Sequence, residues 1–326
     1  MKRTGSIYEQ VYSRENISKA LFNAMKNKSH YRDVKRIKNN PEKYIDQLEK
    51  MLKEESFVNG EYEIIERRSG GKLRQLYKLP FFPDRVVHHC IMQVVSQLWT
   101  RNLIYDTFST VPGRGPHLGA RRVKNAVKDK EGARYCLKID VKKYYPSIDN
   151  EILKKIIRKK IKDIKLLRLI DTIIDSARGI PIGNYISQWF GNIYLSYFDH
   201  WVKEELRCKY YFRYCDDMVL LADSKETLWI WLDQIRTYLD HKLNLCINNN
   251  YAVFPVEKRG IDFLGYRFYP GYTLVRKGIV RAMKSSLDKP KSKTSYFGWL
   301  LHADSYRLLM KYYSNELYIK KYFKVA

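Results

Sequence analysis

Three carboxylates in this sequence have the type and spacing of a site for divalent metal ions. Asp140 ends an apolar segment, and 76 residues later Asp216 and Asp217 stand side by side between two apolar segments. Adjacent like charges at such a turn repel each other unless a cation neutralises them. Oxygen ligands suit Mg²⁺, with Mn²⁺ as the alternative, rather than zinc. Two such ions about 4 Å apart can promote phosphoryl transfer.

The surrounding pattern predicts the elements that must position these carboxylates. Apolar and aromatic runs predict strands at 135–140, 210–214 and 218–222, the last two joined by a tight acidic turn. A hairpin over 61–79 is expected to turn at Gly70-Gly71, and helices are expected over 84–102, 166–177 and 185–206. The order of strands and helices indicates an α+β fold.

The charge indicates a polyanionic partner, either nucleic acid or an anionic membrane. The chain has 326 residues and a formal net charge of +26, of which residues 121–168 carry +11 and residues 276–326 carry +9. Lysines and arginines interleaved with isoleucines over 152–165 predict one amphipathic helix, capped by Asp149, with a basic outer face. Such a face is either simply solvated or bound to phosphates, and the scarcity of acidic residues beside it favours phosphates.

Several classes of protein are excluded by composition. The five cysteines are scattered without a CxxC pair, which argues against a disulfide framework and a zinc site. No apolar stretch approaches the roughly 20 residues that span a bilayer. We therefore expect a cytoplasmic protein with no membrane partner.

The motifs around the carboxylates resemble those of reverse transcriptases. Residues 214–217, Tyr-Cys-Asp-Asp, are similar to the YxDD motif, and Asp140 with Tyr145 five positions later is similar to the first catalytic strand. Residues 179–195 resemble the template and nucleotide-binding loop and helix, residues 263–266 the primer-grip hairpin, and residues 72–74 the basic fingertip. The motifs keep the family's order across about residues 60–310.

The resemblance implies a right-hand polymerase that makes DNA on an RNA template. Its divisions would be an N-terminal helical extension over 1–60, fingers over 61–134, a palm over 135–275 and a short helical thumb over 276–326. Inserted fingers helices are expected at approximately 149–178. Asp140 and Asp216 would hold two Mg²⁺ ions with the carbonyl of Val141, and Asp217 would be the supporting carboxylate.

The resemblance also assigns residues to the incoming nucleotide. Lys72 and Arg74 would contact the triphosphate, although an ordinary basic turn is the alternative. Tyr145 would clash with a 2′-hydroxyl and exclude ribonucleotides, although core packing is the alternative. His88 and His89, on an apolar helix, are interpreted as structural.

Two positions resemble one branch of the family, the reverse transcriptases of diversity-generating retroelements. Ile182 stands where intron and retroviral enzymes usually have Gln, and Gln188 stands where they usually have Pro. Enzymes of this bacterial and phage-encoded branch copy a template-repeat RNA with errors at adenines, together with a basic accessory variability protein. Because Ile182 cannot donate an amide hydrogen bond near the nascent base pair, we expect low fidelity. Gln188 either faces the template or supports helix packing.

The implied partners are template RNA, the RNA–cDNA duplex and dNTPs. The basic blocks would hold the duplex by its phosphates, largely without reading sequence. An intron-type or phage-defence reverse transcriptase stays open as an alternative. An RNA-dependent RNA polymerase is disfavoured by the aromatic residue at 145, and an inactive RNA-binding scaffold by the intact carboxylates. The residues expected to contact nucleic acid are Lys154, Arg158, Lys159, Lys162, Gly265, Arg281 and Lys284.

Overall fold

The computed structural model describes residues 3–69 and 72–313 of the chain. Its helices are α1 (Tyr8–Tyr12), α2 (Arg14–Met25), α3 (Arg32–Asn39), α4 (Pro41–Lys53), α5 (Val86–Thr100), α6 (Pro116–Ala126), α7 (Tyr144–Ser147), α8 (Asn150–Arg158), α9 (Ile164–Ile174), α10 (Tyr185–Tyr194), α11 (Ser196–Glu204), α12 (Lys225–Leu243), α13 (Val256–Arg259), α14 (Lys277–Lys284), α15 (Pro290–Leu300) and α16 (Tyr306–Tyr313). Its strands are β1 (Glu63–Ser69), β2 (Lys72–Lys78), β3 (Tyr135–Ile139), β4 (Tyr210–Tyr214), β5 (Asp217–Ala222), β6 (Ala252–Pro255), β7 (Ile261–Phe263), β8 (Tyr266–Phe268) and β9 (Thr273–Val275). The mixture of helices and antiparallel strands confirms the predicted α+β class.

Backbone contacts divide the chain into two compact units. Unit 1 comprises residues 1–104, 141–201 and 237–246, and unit 2 comprises residues 105–140, 202–236 and 247–326. In the described part of the chain, no helix is both long enough and apolar enough to cross a membrane. Residues 314–326 of the predicted thumb lie outside the described residues.

Unit 1 is largely helical and carries one two-stranded antiparallel sheet. Strands β1 and β2 pair from Glu63 with Lys78 to Ser69 with Lys72, as the sequence predicts. The turn at Gly70-Gly71 and the side chain of Lys72 lie outside the described part. Helices α2, α4 and α5 pack together around fully buried aliphatic side chains such as Leu48.

The prediction of one continuous basic helix over 152–165 is wrong. Helix α8 does begin after Asp149, whose carboxylate accepts from the Ile152 amide, but it ends at Arg158. Ile161 then forms a parallel bridge with Thr4, and a new helix, α9, starts after Asp163. The Asp163 carboxylate accepts amide hydrogen bonds at the start of that helix and from the N-terminal segment, which favours a break over a continuous helix.

The long helix predicted over 185–206 is also divided. Helix α10 ends at Tyr194 and α11 begins at Ser196. The Ser196 hydroxyl donates to the Ile193 carbonyl at 2.7 Å and accepts from the Asn102 amide at 3.0 Å. A serine hydroxyl that bonds to a preceding carbonyl competes with the helical hydrogen bonds and bends the helix. The aromatic periodicity could not reveal this partner, because Asn102 is distant in the chain.

Unit 2 is built on a four-stranded antiparallel sheet in the order β4-β5-β3-β6. Strand β5 is buried along almost its whole length, and Leu137 of β3 pairs with Leu220 of β5, both completely buried. A second sheet, β7-β8-β9, belongs to the same hydrophobic core as helices α15 and α16. Apolar side chains on both faces of a strand explain the nearly continuous hydrophobic run that the sequence shows at 218–222.

Candidate active site

The acidic turn predicted between β4 and β5 is a two-residue hairpin loop. Tyr214 pairs with Asp217, so that Cys215 and Asp216 alone connect the strands. The first loop residue of such a hairpin needs a positive φ, and Cys215 has φ of 53°. The Cys215 sulfur lies 2.9 Å from the Ser109 hydroxyl. The tight loop places Asp216 at the tip and Asp217 at the first position of β5.

Asp140 directly follows β3, at the same end of the paired strands as Asp217. The register pairs Ile139 with Met218, the neighbour of Asp217. Asn248 holds Asp140 in place, because its backbone amide donates to the Asp140 backbone carbonyl at 2.8 Å and its side-chain amide donates to the Asp140 carboxylate at 3.3 Å. Asn248 lies in a short run of asparagines, and sequence reasoning did not identify it.

The carboxyl group of Asp217 is electrostatically unusual. Burial, with a smaller contribution from the charges of Asp216 and Asp140, raises its pKa to about 6 against the lowering effect of Lys138. The Lys138 ammonium lies 3.0 Å from one carboxylate oxygen of Asp217 and 3.1 Å from the other. Lys138 also donates to the Asp262 carbonyl. This lysine, two residues before Asp140, was missed because its charge was counted with the basic blocks.

The residues around Asp217 fit a divalent cation in donor chemistry. The donors are oxygen atoms, and Oδ1 of Asp217 is buried without a hydrogen-bond partner of good geometry among the described residues, although Lys138 lies close by. Within residues 3–69 and 72–313, no group of three or more His, Cys, Asp or Glu side chains is already gathered as a ligand set. Mg²⁺ is usually held by one or two carboxylates, while substrate phosphates and water complete its coordination. Asp140, Asp216 and Asp217 offer carboxylate oxygens of the kind that such an ion binds.

In unit 1, the loop that contains Ile182 is attached to the strand β2. The Tyr77 amide donates to the Ile182 carbonyl at 2.7 Å. Gly183 has φ of 129°, and a Cβ there would lie 2.7 Å from the Tyr77 carbonyl oxygen. Only glycine therefore allows the loop to approach the strand this closely. The Ile182 side chain is half-buried, and Gln188 is exposed on α10.

Tyr145 is half-buried in unit 1 and sits against a glycine. A Cβ at Gly191 would lie 3.2 Å from the Tyr145 ring and 3.3 Å from the Tyr144 ring. Tyr144 is buried and its hydroxyl donates to the Gly191 carbonyl, so the two tyrosines differ in role. Tyr145 thus has the partial exposure that contact with a nucleotide would require.

Two other predicted site residues differ in exposure. Val141 is buried, and Arg74 is exposed on β2 opposite Arg67.

The lysines and arginines predicted to contact nucleic acid fall into two groups. Lys154 pairs with Asp175 at 2.6 Å and Glu151 at 2.8 Å, and Arg158 pairs with Asp171. The other lysines and arginines of the set are exposed. They are Lys159 and Lys162, which follow α8, and Arg281 and Lys284 on α14.

Gly265 lies in the turn between β7 and β8. Its φ is 81°, and a Cβ there would lie 2.4 Å from the Trp299 ring, so this glycine permits close packing of the turn. His88 is completely buried in α5, in keeping with the structural interpretation.

Known proteins share both sequence and fold with this chain. The family model described as reverse transcriptase (RNA-dependent DNA polymerase) matches residues 65–268. Protein YkfC of Escherichia coli (strain K12) is 24% identical over 271 residues, which is 68% of this chain and 71% of YkfC. Group II intron-encoded protein LtrA of Lactococcus lactis subsp. cremoris is 25% identical over 149 residues, 42% of this chain and 24% of LtrA. Nuclear intron maturase 1, mitochondrial, of Arabidopsis thaliana is 28% identical over 109 residues, 33% of this chain and 15% of its own length.

Solved telomerase structures share the fold. Telomerase from Candida albicans in complex with a TWJ fragment of telomeric RNA has a TM-score of 0.52 at 13% identity, over 82% of this chain and 56% of that one. Apo telomerase from Candida tropicalis has a TM-score of 0.50 at 14% identity, over 66% of this chain and 47% of that one. The chain thus spans about half the length of these structures, and the likeness concerns the right-hand polymerase fold. Since the family model covers more than half of the chain, this protein belongs to the reverse transcriptase family of RNA-directed DNA polymerases.

Proposed function

We propose that this reverse transcriptase makes error-prone cDNA, mutagenised at adenines, from the template-repeat RNA of a diversity-generating retroelement. The observation that carries the proposal is the hydrocarbon side chain of Ile182 on a loop whose backbone is bonded to β2. A side chain on a fixed backbone presents the same chemistry at every nucleotide addition. An isoleucine there supplies shape without the amide that a glutamine would supply.

At the carboxylate site, some residues would orient the carboxylates and others would bind the metal. Asn248 orients Asp140 by a hydrogen bond to its carboxylate, and the Lys138 ammonium forms an ion pair with Asp217, lying close to both carboxylate oxygens. Asp140 and Asp216, with the Val141 carbonyl, would hold Mg²⁺. When bound, the metal supplies Lewis-acid stabilisation of phosphate charge and activation of the primer 3′-hydroxyl.

Replacing Ile182 with Gln tests the proposal. We expect misincorporation opposite template adenine to fall by about tenfold, because one polar contact changes discrimination by about 1–3 kcal/mol. The measurement is single-nucleotide primer extension on an RNA template, with each wrong dNTP offered opposite each template base. Ile182→Leu is the matched control and should keep the wild-type error spectrum. An unchanged error rate opposite adenine in Ile182→Gln would contradict the proposal.

An intron-type enzyme is the second candidate, favoured by the likeness to group II intron-encoded protein LtrA. For that candidate, errors would be spread over all four template bases and Ile182→Gln would not change their distribution.

The proposed partner of a retroelement enzyme is a basic accessory protein. Because this chain carries a net charge of +26, we expect the two proteins to associate through shared RNA. Ribonuclease treatment before co-purification would then separate them.

A further inference from the structure

A cleft in unit 2 lies apart from the catalytic carboxylates. It has a volume of about 270 Å³, just below the usual range of sites for drug-sized ligands. Arg134, on its wall, immediately precedes β3, whereas Asp140 immediately follows that strand. At about 3.3 Å per residue, the six steps from Arg134 to Asp140 separate the two residues by about 20 Å. The cleft is therefore a separate feature of the unit and not part of the carboxylate site.

One side of the cleft is an aromatic platform at the turn between β8 and β9. The rings of Tyr269 and Tyr272 stack with centroids 4.6 Å apart and planes 19° apart. The Tyr269 amide donates to the Tyr272 carbonyl at 2.9 Å, which closes the turn. Gly260 has φ of 68°, and a Cβ there would lie 2.6 Å from the Tyr269 ring. The platform is thus held by backbone bonding and by a glycine that leaves room for the ring.

The other sides carry charge. Lys130 and Arg134 line the cleft from the loop before β3, and both are exposed. Glu257 lines it from α13, the short helix whose first residue, Val256, donates its amide to the Arg134 carbonyl at 3.0 Å. That hydrogen bond connects the segment that carries Arg134 to the helix that carries Glu257. A ligand here meets a flat aromatic face, two cations and one carboxylate.

We propose that this cleft binds one unpaired nucleotide of a single-stranded nucleic acid. A base stacks on the exposed ring of Tyr272, and the flanking phosphates contact Lys130 and Arg134. Glu257 accepts hydrogen bonds from the amino or imino groups of the base edge. An acidic peptide would leave the aromatic face unused, and an inorganic phosphate would leave both the aromatic face and the carboxylate unused. The site anchors an unpaired part of the strand outside the catalytic centre.

Photo-crosslinking locates the binding. The full-length protein is mixed with oligonucleotides of about six residues that carry 5-iodouracil, one set RNA and one set DNA. Trypsin cuts after Arg267 and Arg276, so a crosslink to either tyrosine of the platform appears on the peptide from Phe268 to Arg276. We expect that peptide to be modified. If the crosslinks map only to other peptides, the proposal is wrong. The RNA and DNA arms identify which strand the site prefers.

Affinity measurements separate a built site from diffuse attraction. We expect Tyr272→Ala to weaken oligonucleotide binding by about tenfold and Tyr272→Phe to leave it within about twofold, because stacking needs the ring and not the hydroxyl. Tyr272 is 46% exposed, so its removal leaves the core intact. Arg134→Ala should weaken binding more than Lys258→Ala. Lys258 is the control because it is an exposed basic residue of α13 that does not line the cleft. Equal losses in Arg134→Ala and Lys258→Ala, with no loss in Tyr272→Ala, would overturn the proposal.

Discussion

At the scale of single residues, the buried imidazole of His88 links the stability of unit 1 to pH. The side chain is completely buried in α5, and within the described residues neither of its ring nitrogens has a hydrogen-bond partner. Burial, with a smaller contribution from the positive charges of His89 and Arg85, lowers its pKa to about 3. An imidazole in the unfolded chain titrates near 6.5. The stability that the neutral form supplies is therefore complete above pH 6.5 and is lost as the pH falls towards 3.

We expect His88→Leu to reduce the pH dependence of the free energy of unfolding. Each pH unit below 6.5 costs the wild type about 1.4 kcal/mol through this group, so acidification from pH 7 to pH 5.5 should cost it about 1.4 kcal/mol more than the variant. Urea unfolding at constant ionic strength measures the difference. His89 titrates in both proteins and cancels. Parallel pH profiles would show that His88 is not the group responsible.

Tyr145 gives a prediction about substrate choice. We expect Tyr145→Ala to raise incorporation of ribonucleotides relative to deoxyribonucleotides by about tenfold or more, since a clash with the 2′-hydroxyl disappears. Tyr145→Phe keeps the ring and should keep the wild-type selectivity. Primer extension with ATP against dATP measures the ratio of kcat/KM. If Tyr145→Ala changes both substrates equally, the residue serves packing against Gly191 instead.

At the scale of elements, one carboxylate serves the N-termini of two helices. Oδ2 of Asp163 accepts from the amides of Ile7 and Tyr8, at 2.7 and 2.9 Å, where α1 begins. Its Oδ1 accepts from the Leu166 amide at 3.2 Å, where α9 begins. Both interactions belong to unit 1, and they join the N-terminal segment to the helix that follows the basic α8.

We expect Asp163→Ala to lower the free energy of unfolding by about 4 kcal/mol, the sum of about 1 for one helix cap and about 1.5 for each of two further amide bonds to a charged group. Ser224→Ala is the control, because the Ser224 hydroxyl caps α12 through the Thr227 amide and also bonds to the Thr227 hydroxyl, and its loss should cost about 1 kcal/mol. Chemical denaturation of both variants measures the two values. Equal losses would mean that the bonds to Ile7 and Tyr8 contribute no net stability.

The elements that sequence could predict are those whose signals are local. The YCDD hairpin follows from two apolar strands and two loop residues, and the start of α8 follows from the capping Asp149. The breaks before Asp163 and Ser196 depend on partners far along the chain, and so periodicity extended both helices too far. The same limit applies to the site, since Asn248 and Lys138 become visible only through their bonds to Asp140 and Asp217.

At the scale of the whole molecule, the charge of +26 is not uniformly available to a ligand. Of the basic residues predicted to contact phosphates, Lys154 and Arg158 already neutralise acidic side chains of unit 1. Lys159 and Lys162 lie just beyond α8 and are exposed, although Lys159 also lies 4.3 Å from the Tyr197 ring. A count of charges treats all four alike, whereas binding to nucleic acid depends on which cations can release counterions from phosphates.

We therefore expect two double variants with the same change in net charge to differ. Lys159→Ala with Lys162→Ala should reduce the slope of log affinity against log salt by about 2, because each exposed cation contributes about one released counterion. Lys154→Ala with Arg158→Ala should change that slope by less than half as much but slightly lower the free energy of unfolding, because it removes the ion pairs with Asp175 and Asp171. Filter binding of an RNA–DNA duplex across a salt series measures the slopes, and urea unfolding measures the stabilities. Identical slopes would mean that net charge alone governs binding, since the local pairing of each cation would then have no effect on its contact with phosphate.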